Sequence, residues 1–157
     1  MVTAARQHII QRTYHYTTMK ALLPHAHWLL RLALASVFLY HGLTKFPALG
    51  MLSEMMGMPT IMIGLLATME TAAGVLILVG GFGPAWATRI AGAMIAVVML
   101  GAIFMVHLQN GWNSVNMGMG NEGQGMEFQF TLLMIALFFV ITGNRLAGLV
   151  AETSPSE

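Results

Sequence analysis

Four long apolar stretches, separated by prolines, glycines and polar clusters, constrain this chain more than any other feature. A helix needs about 20 mostly apolar residues to cross the hydrocarbon core of a bilayer. The stretches run roughly from His27 to Lys45, from Pro59 to Val79, from Trp86 to Leu108 and from Glu127 to Thr142. The last is short for a perpendicular crossing, so its polar ends must lie near the interfaces. Pro47, Gly50, Gly57 and Pro59 punctuate the first gap, and Gly80, Gly81, Gly83 and Pro84 the second. The third gap, QNGWNSVNMGMGNEGQGM from Gln109 to Met126, is the longest loop. No irregular segment interrupts an apolar stretch, where lipid would leave backbone groups unsatisfied.

The expected fold is therefore an all-α, integral membrane four-helix bundle. Composition agrees: 57% of the 157 residues are hydrophobic and 8% charged, against about 25% charged in soluble domains. The chain divides into a leader over residues 1–26, a four-helix domain over 27–146 and a short tail over 147–157. The leader carries Arg6, His8, Arg12, His15 and Lys20, which interrupt the apolar core that a cleavable signal needs. It reads as a cytoplasmic segment, either disordered or a short interfacial helix. Basic residues set orientation. With the N-terminus inside, Arg6, Arg12, Lys20, Arg31, Arg89 and Arg145 fall on the cytoplasmic side and Lys45 alone outside, so both termini are expected in the cytoplasm. The net charge of +1, with scattered basic residues, gives no footprint for nucleic acid. The absence of cysteine excludes disulfides, thiolate metal sites and thiol redox chemistry.

Ionisable groups inside a crossing are costly and are functional candidates for that reason. Arg31 and Arg89 lie within a turn or two of the inner interface, so they are expected to anchor there by extending toward headgroups. Glu70 lies near the middle of its stretch, too deep for that. Ala67, Thr71, Ala73 and Gly74 surround it at helical spacing, so it should face neighbouring helices, either protonated or paired with a cation. His41 and Lys45 are one turn apart on one face. His107 ends the third stretch and Glu127 opens the fourth. His41, Lys45, Glu70, His107 and Glu127 are therefore expected to converge in the outer half of the bundle.

Several chemistries suit such a set. Two histidines on different helices can ligate haem b. Histidine with carboxylate can hold a divalent metal. A neutral histidine near a carboxylate can bind a quinone carbonyl and relay protons. Spacing alone does not choose. Methionine adds a copper alternative, since thioethers select Cu(I). The candidate metal set is His41 and His107 with Met55, Met56 and Met58 in MLSEMMGM and Met117 and Met119 in NMGMGNEGQGM. Packing at the mouth of the bundle explains the same methionines equally simply.

Taken in order, the segments RLALASVFLYHGLTKF, ETAAGVLILVGGFG, MLGAIFMVHLQNGW and GMEFQF resemble the DoxX family of small four-helix membrane proteins, over about residues 27–146. The resemblance marks Arg31, His41, Gly42, Lys45, Glu70, His107 and Glu127 as pattern positions. It implies kinship with membrane subunits of thiosulfate:quinone oxidoreductase and with other redox assemblies. The expected role is thus a quinone-interacting subunit of a redox complex in the bacterial inner membrane, part of an oxidoreductase rather than a complete enzyme. It would work with other membrane subunits or as a homo-oligomer. The alternatives are a non-catalytic accessory subunit and copper binding at the outer face.

Overall fold

A computed structural model describes residues 23–116 and 123–145. Among the described residues every regular element is helical, with no strand. Helix α1 spans His27–Lys45, α2 Leu49–Met56, α3 Thr60–Gly81, α4 Ala85–Ala102 and α5 Glu127–Thr142. Pro59 and Pro84 stand immediately before α3 and α4, where the missing N–H of proline leaves no helical bond unmade. Gly57 closes α2 in the left-handed conformation, φ 63°, its N–H directed to the carbonyls of Glu54 and Ser53.

The structure departs from the sequence expectation at two places. The break after the first stretch contains the short helix α2, which was not foreseen. The third stretch does not run as a regular helix to Leu108. Regular α4 ends at Ala102, widens into a π-turn over Ile103–His107 and closes as a 3-10 turn over Leu108–Asn110. Helical widenings of this kind are often found at functional sites, and this one ends on His107. The leader to residue 22 and the tail beyond residue 145, with Met117 and Met119, lie outside the described residues.

Helix α1 packs along α3, α3 along α4 and α4 along α5, while α1 meets α5 only slightly. The core is built from Leu34, Phe38, Ile77, Ile95, Leu133 and Phe139, with Ala73, Ala91 and Ala136 fully buried among them. Small side chains let helix backbones approach closely, which is how packing is gained where lipid removes the hydrophobic contrast. Gly42 is the tightest case on α1: a Cβ there would lie 2.7 Å from the Thr71 backbone nitrogen of α3.

The outside is as apolar as the inside. Phe82 is 83% exposed and Leu29 73%, and similar side chains cover every long helix. Water would penalise so large a continuous apolar surface. The helical stretches His27–Met56, Thr60–Gly81 and Ala85–Asn110 are long and apolar enough to cross a membrane, and α5, at 16 residues, is a shorter apolar helix.

Candidate functional site

Polar side chains gather at both ends of the bundle. One end carries the turn between α3 and α4 (the turn end), the other the long connection between α4 and α5 (the loop end).

At the turn end, Arg31 is 1% exposed. Its Nη1 donates to the Ile77 carbonyl at 2.6 Å and to Thr88 Oγ1 at 3.0 Å. Its Nη2 donates to Asn144 Oδ1 at 2.8 Å, and its Nε to His27 Nδ1 at 3.0 Å. The guanidinium carbon lies 4.7 Å from the centre of the Phe139 ring, a cation–π contact. Asn144 also accepts from Thr88 Oγ1 and donates to the carbonyls of Gly80 and Gly83. The expectation that Arg31 anchors the interface by reaching outward is thereby corrected. Acceptors from α1, α3, α4 and the turn after α5 surround the guanidinium, so turning inward satisfies it where lipid could not. Arg89, by contrast, is exposed.

Near the loop end, Lys45 Nζ meets Glu70 Oε2 at 2.5 Å and also donates to the His41 carbonyl at 3.0 Å. The two side chains are 16% and 7% exposed. The expected inward-facing Glu70 thus has its cation, supplied by the last residue of α1. His41 itself is exposed, its ring edge-on to Tyr40.

The connection after α4 folds back on itself. Gly125 donates its N–H to the Asn113 carbonyl, Met126 to Gly111 and Glu127 to Trp112. Gly125 permits this return, because a Cβ there would lie 2.5 Å from the Trp112 carbonyl carbon. The fold-back encloses an open cavity of about 680 Å³, lined by His107, Trp112, Ser114, Glu127, Phe128 and Gln129 among others. Glu127 Oε1 accepts the Ser114 N–H at 3.1 Å. His107 Nδ1 lies 2.7 Å from the Gln124 carbonyl and its Nε2 2.9 Å from Gln129 Nε2. A carbonyl oxygen only accepts, so Nδ1 carries the hydrogen. Nε2 is then the acceptor in a neutral ring, and Gln129 donates to it. The Gln129 oxygen is buried and has no hydrogen-bond partner among the described residues. Such an orphan costs about 1–3 kcal/mol, so the amide is held at some expense.

Of the five residues expected to converge, the structure joins Lys45 with Glu70 and places His107 with Glu127 in one cavity wall. The His41 side chain belongs to neither arrangement; only its carbonyl takes part, accepting from Lys45. Among the described residues, no group of three or more His, Asp or Glu is placed to hold a metal ion. Met55 is 71% exposed on α2, while Met56 and Met58 are partly buried. Sequence reasoning missed Trp112, Ser114 and Gln129 in the cavity and His27, Thr88 and Asn144 around Arg31. Gln129 was visible as the one amide inside FQFTLLMIALFFVIT. Asn144 had no local signal, since asparagine after glycine is ordinary at a helix end.

Comparison with known proteins agrees with the sequence resemblance. The family model DoxX matches residues 26–108. The chain is 32% identical over 124 residues to the "Putative oxidoreductase CatD" of Bacillus subtilis (strain 168), covering 77% of this chain and 81% of that protein. No solved structure matches the chain. With more than half its length matched by the family model and most of it aligned to a relative at this identity, the chain belongs to the DoxX family, a multi-pass membrane protein.

Proposed function

We propose that the protein is a quinone-interacting subunit of a redox assembly in the bacterial cytoplasmic membrane. It crosses four times with both termini inside, and the cavity at the loop end receives the quinone head group from the outer side. The relative named as an oxidoreductase supports the redox class. The cavity carries the rest of the reading, because its chemistry suits the ligand. A quinone ring is flat and apolar with oxygens at opposite edges. Trp112 and Phe128 supply aromatic wall, and His107, Gln129 and Glu127 supply polar groups at one side. Ligand sites are commonly of this kind, mostly apolar with a few convergent polar groups. The bound quinone would supply two-electron redox chemistry, while the protein binds and orients the ring and handles protons at the His107 imidazole. Electrons are exchanged with a partner subunit, so the chain works as part of an oxidoreductase.

The test uses protein reconstituted in lipid nanodiscs and titrated with a short-tailed quinone. Trp112 borders the cavity, while Trp28 and Trp86 sit at the turn end near the starts of α1 and α4. Saturable fluorescence quenching is expected, lost in Trp112→Phe and weakened about tenfold in Phe128→Ala, a change worth 1.4 kcal/mol. Quenching that never saturates, or that is equal in all three proteins, would sink the proposal.

A further inference from the structure

The hydrogen-bond pattern around His107 says which form of the ligand the cavity prefers. The Gln124 carbonyl fixes the proton on Nδ1. The neutral ring therefore turns a lone pair, at Nε2, toward the position held by the Gln129 amide. A quinone carbonyl, itself only an acceptor, gains nothing from that nitrogen. A hydroxyl does, by donating to it. The cavity's own hydroxyls do not compete, because Ser114 Oγ donates to the Gly125 carbonyl and Thr131 Oγ1 to the Glu127 carbonyl. Glu127, as a carboxylate, adds acceptors and no donor. The side-chain donors left on the wall are the Trp112 indole and the Gln124 and Gln129 amides.

Gln129 is the second observation. It shields Nε2 with one N–H while its oxygen stays buried and unpartnered. Both side chains line the cavity. A ligand hydroxyl that takes Nε2 replaces the single bond Gln129 makes there. It also releases the Gln129 amide from Nε2. Nε2 keeps a donor throughout the exchange.

We infer that the cavity is built for the reduced, hydroxyl-bearing state of its ligand, a hydroquinone or a related phenol, with His107 Nε2 as acceptor and Gln129 as the group displaced. The inference rests on the quinone-site reading above and sharpens it by assigning the redox state bound more tightly.

Binding is measured in nanodiscs without oxygen, using a naphthohydroquinone and the matching naphthoquinone. The reduced form should bind about tenfold more tightly, and His107→Ala should abolish the difference. Equal affinity, or tighter binding of the quinone, overturns the preference and leaves the quinone site standing. Saturable binding of neither form overturns both. Gln129→Met, which removes the competitor and keeps the volume, should strengthen binding of the reduced form, and weakening counts against the displacement. An independent readout needs no ligand: ¹⁵N spectra of labelled histidine should show His107 protonated at Nδ1 and bare at Nε2. The opposite tautomer overturns the inference even if the variants do not fold.

Discussion

Arg31 and Asn144 are 113 positions apart in the chain, yet the guanidinium of one donates to the side-chain oxygen of the other at 2.8 Å. The contact ties α1 to the turn after α5. Asn144 accepts twice, from Arg31 and Thr88, and donates twice, to Gly80 and Gly83. One asparagine thus uses its full hydrogen-bonding capacity to close the turn end.

Asn144→Ala should be among the most damaging single changes outside the apolar core. It removes a hydrogen bond to a charged group, worth about 1.5–3 kcal/mol, and leaves buried partners short of donors and acceptors. Asn144→Asp keeps the acceptor for Arg31 and loses only the donations to Gly80 and Gly83. Thermal unfolding in a fixed detergent should rank wild type above Asn144→Asp, and Asn144→Asp above Asn144→Ala. Equal midpoints for all three would refute the role given to Asn144.

The Lys45–Glu70 pair should behave as a buried ion pair. Removing one partner strands a charge, at a cost of about 3–5 kcal/mol, whereas replacing both with apolar residues is often close to neutral. Lys45→Met and Glu70→Leu should each destabilise strongly, and the double variant should recover most of the loss. A double-mutant cycle measures the coupling. Additive losses would mean that the two side chains do not depend on each other.

Glycine positions separate tight contacts from open ones. Gly42→Ala drives a Cβ against the backbone of Thr71 and should cost about 1–3 kcal/mol, typical of overpacking. It should also loosen the α1–α3 contact that brings Lys45 to Glu70. Gly64 has nothing within 4 Å of a would-be Cβ, so Gly64→Ala should stay within about 0.5 kcal/mol of wild type. Detergent melts of the two variants, run side by side, check the contrast.

Orientation can be read chemically because the chain has no cysteine. In intact cells, a membrane-impermeant maleimide should label Val115→Cys in the α4–α5 connection. It should label Gly83→Cys in the α3–α4 turn only after lysis. The reverse pattern would invert the topology and place the cavity on the cytoplasmic side.

The helices themselves were legible because their causes are local. Apolar length and punctuation by proline and glycine placed His27–Lys45 and Glu127–Thr142 at their observed bounds, and α3 within two residues at its C-terminal end. The short α2 was not legible, because a few residues between turn signals carry little periodicity. Nor was the π-turn before His107, where hydropathy continues unchanged through the widened turn.

By itself, then, the sequence determined an all-helical, lipid-seeking chain of the DoxX type and singled out Arg31, Lys45, Glu70, His107 and Glu127. Only the tertiary structure decided their company. Arg31 has the sequence context of a headgroup anchor, yet helix packing supplies it with buried acceptors from distant segments, and an arginine follows its hydrogen-bond partners. Lys45 and Glu70 pair because Gly42 lets α1 and α3 approach. His107 and Glu127 share a cavity because the connection folds back at Gly125. Hydropathy is a property of each residue and survives in the sequence. Pairing depends on distances between segments remote along the chain, and those exist only once the helices have packed.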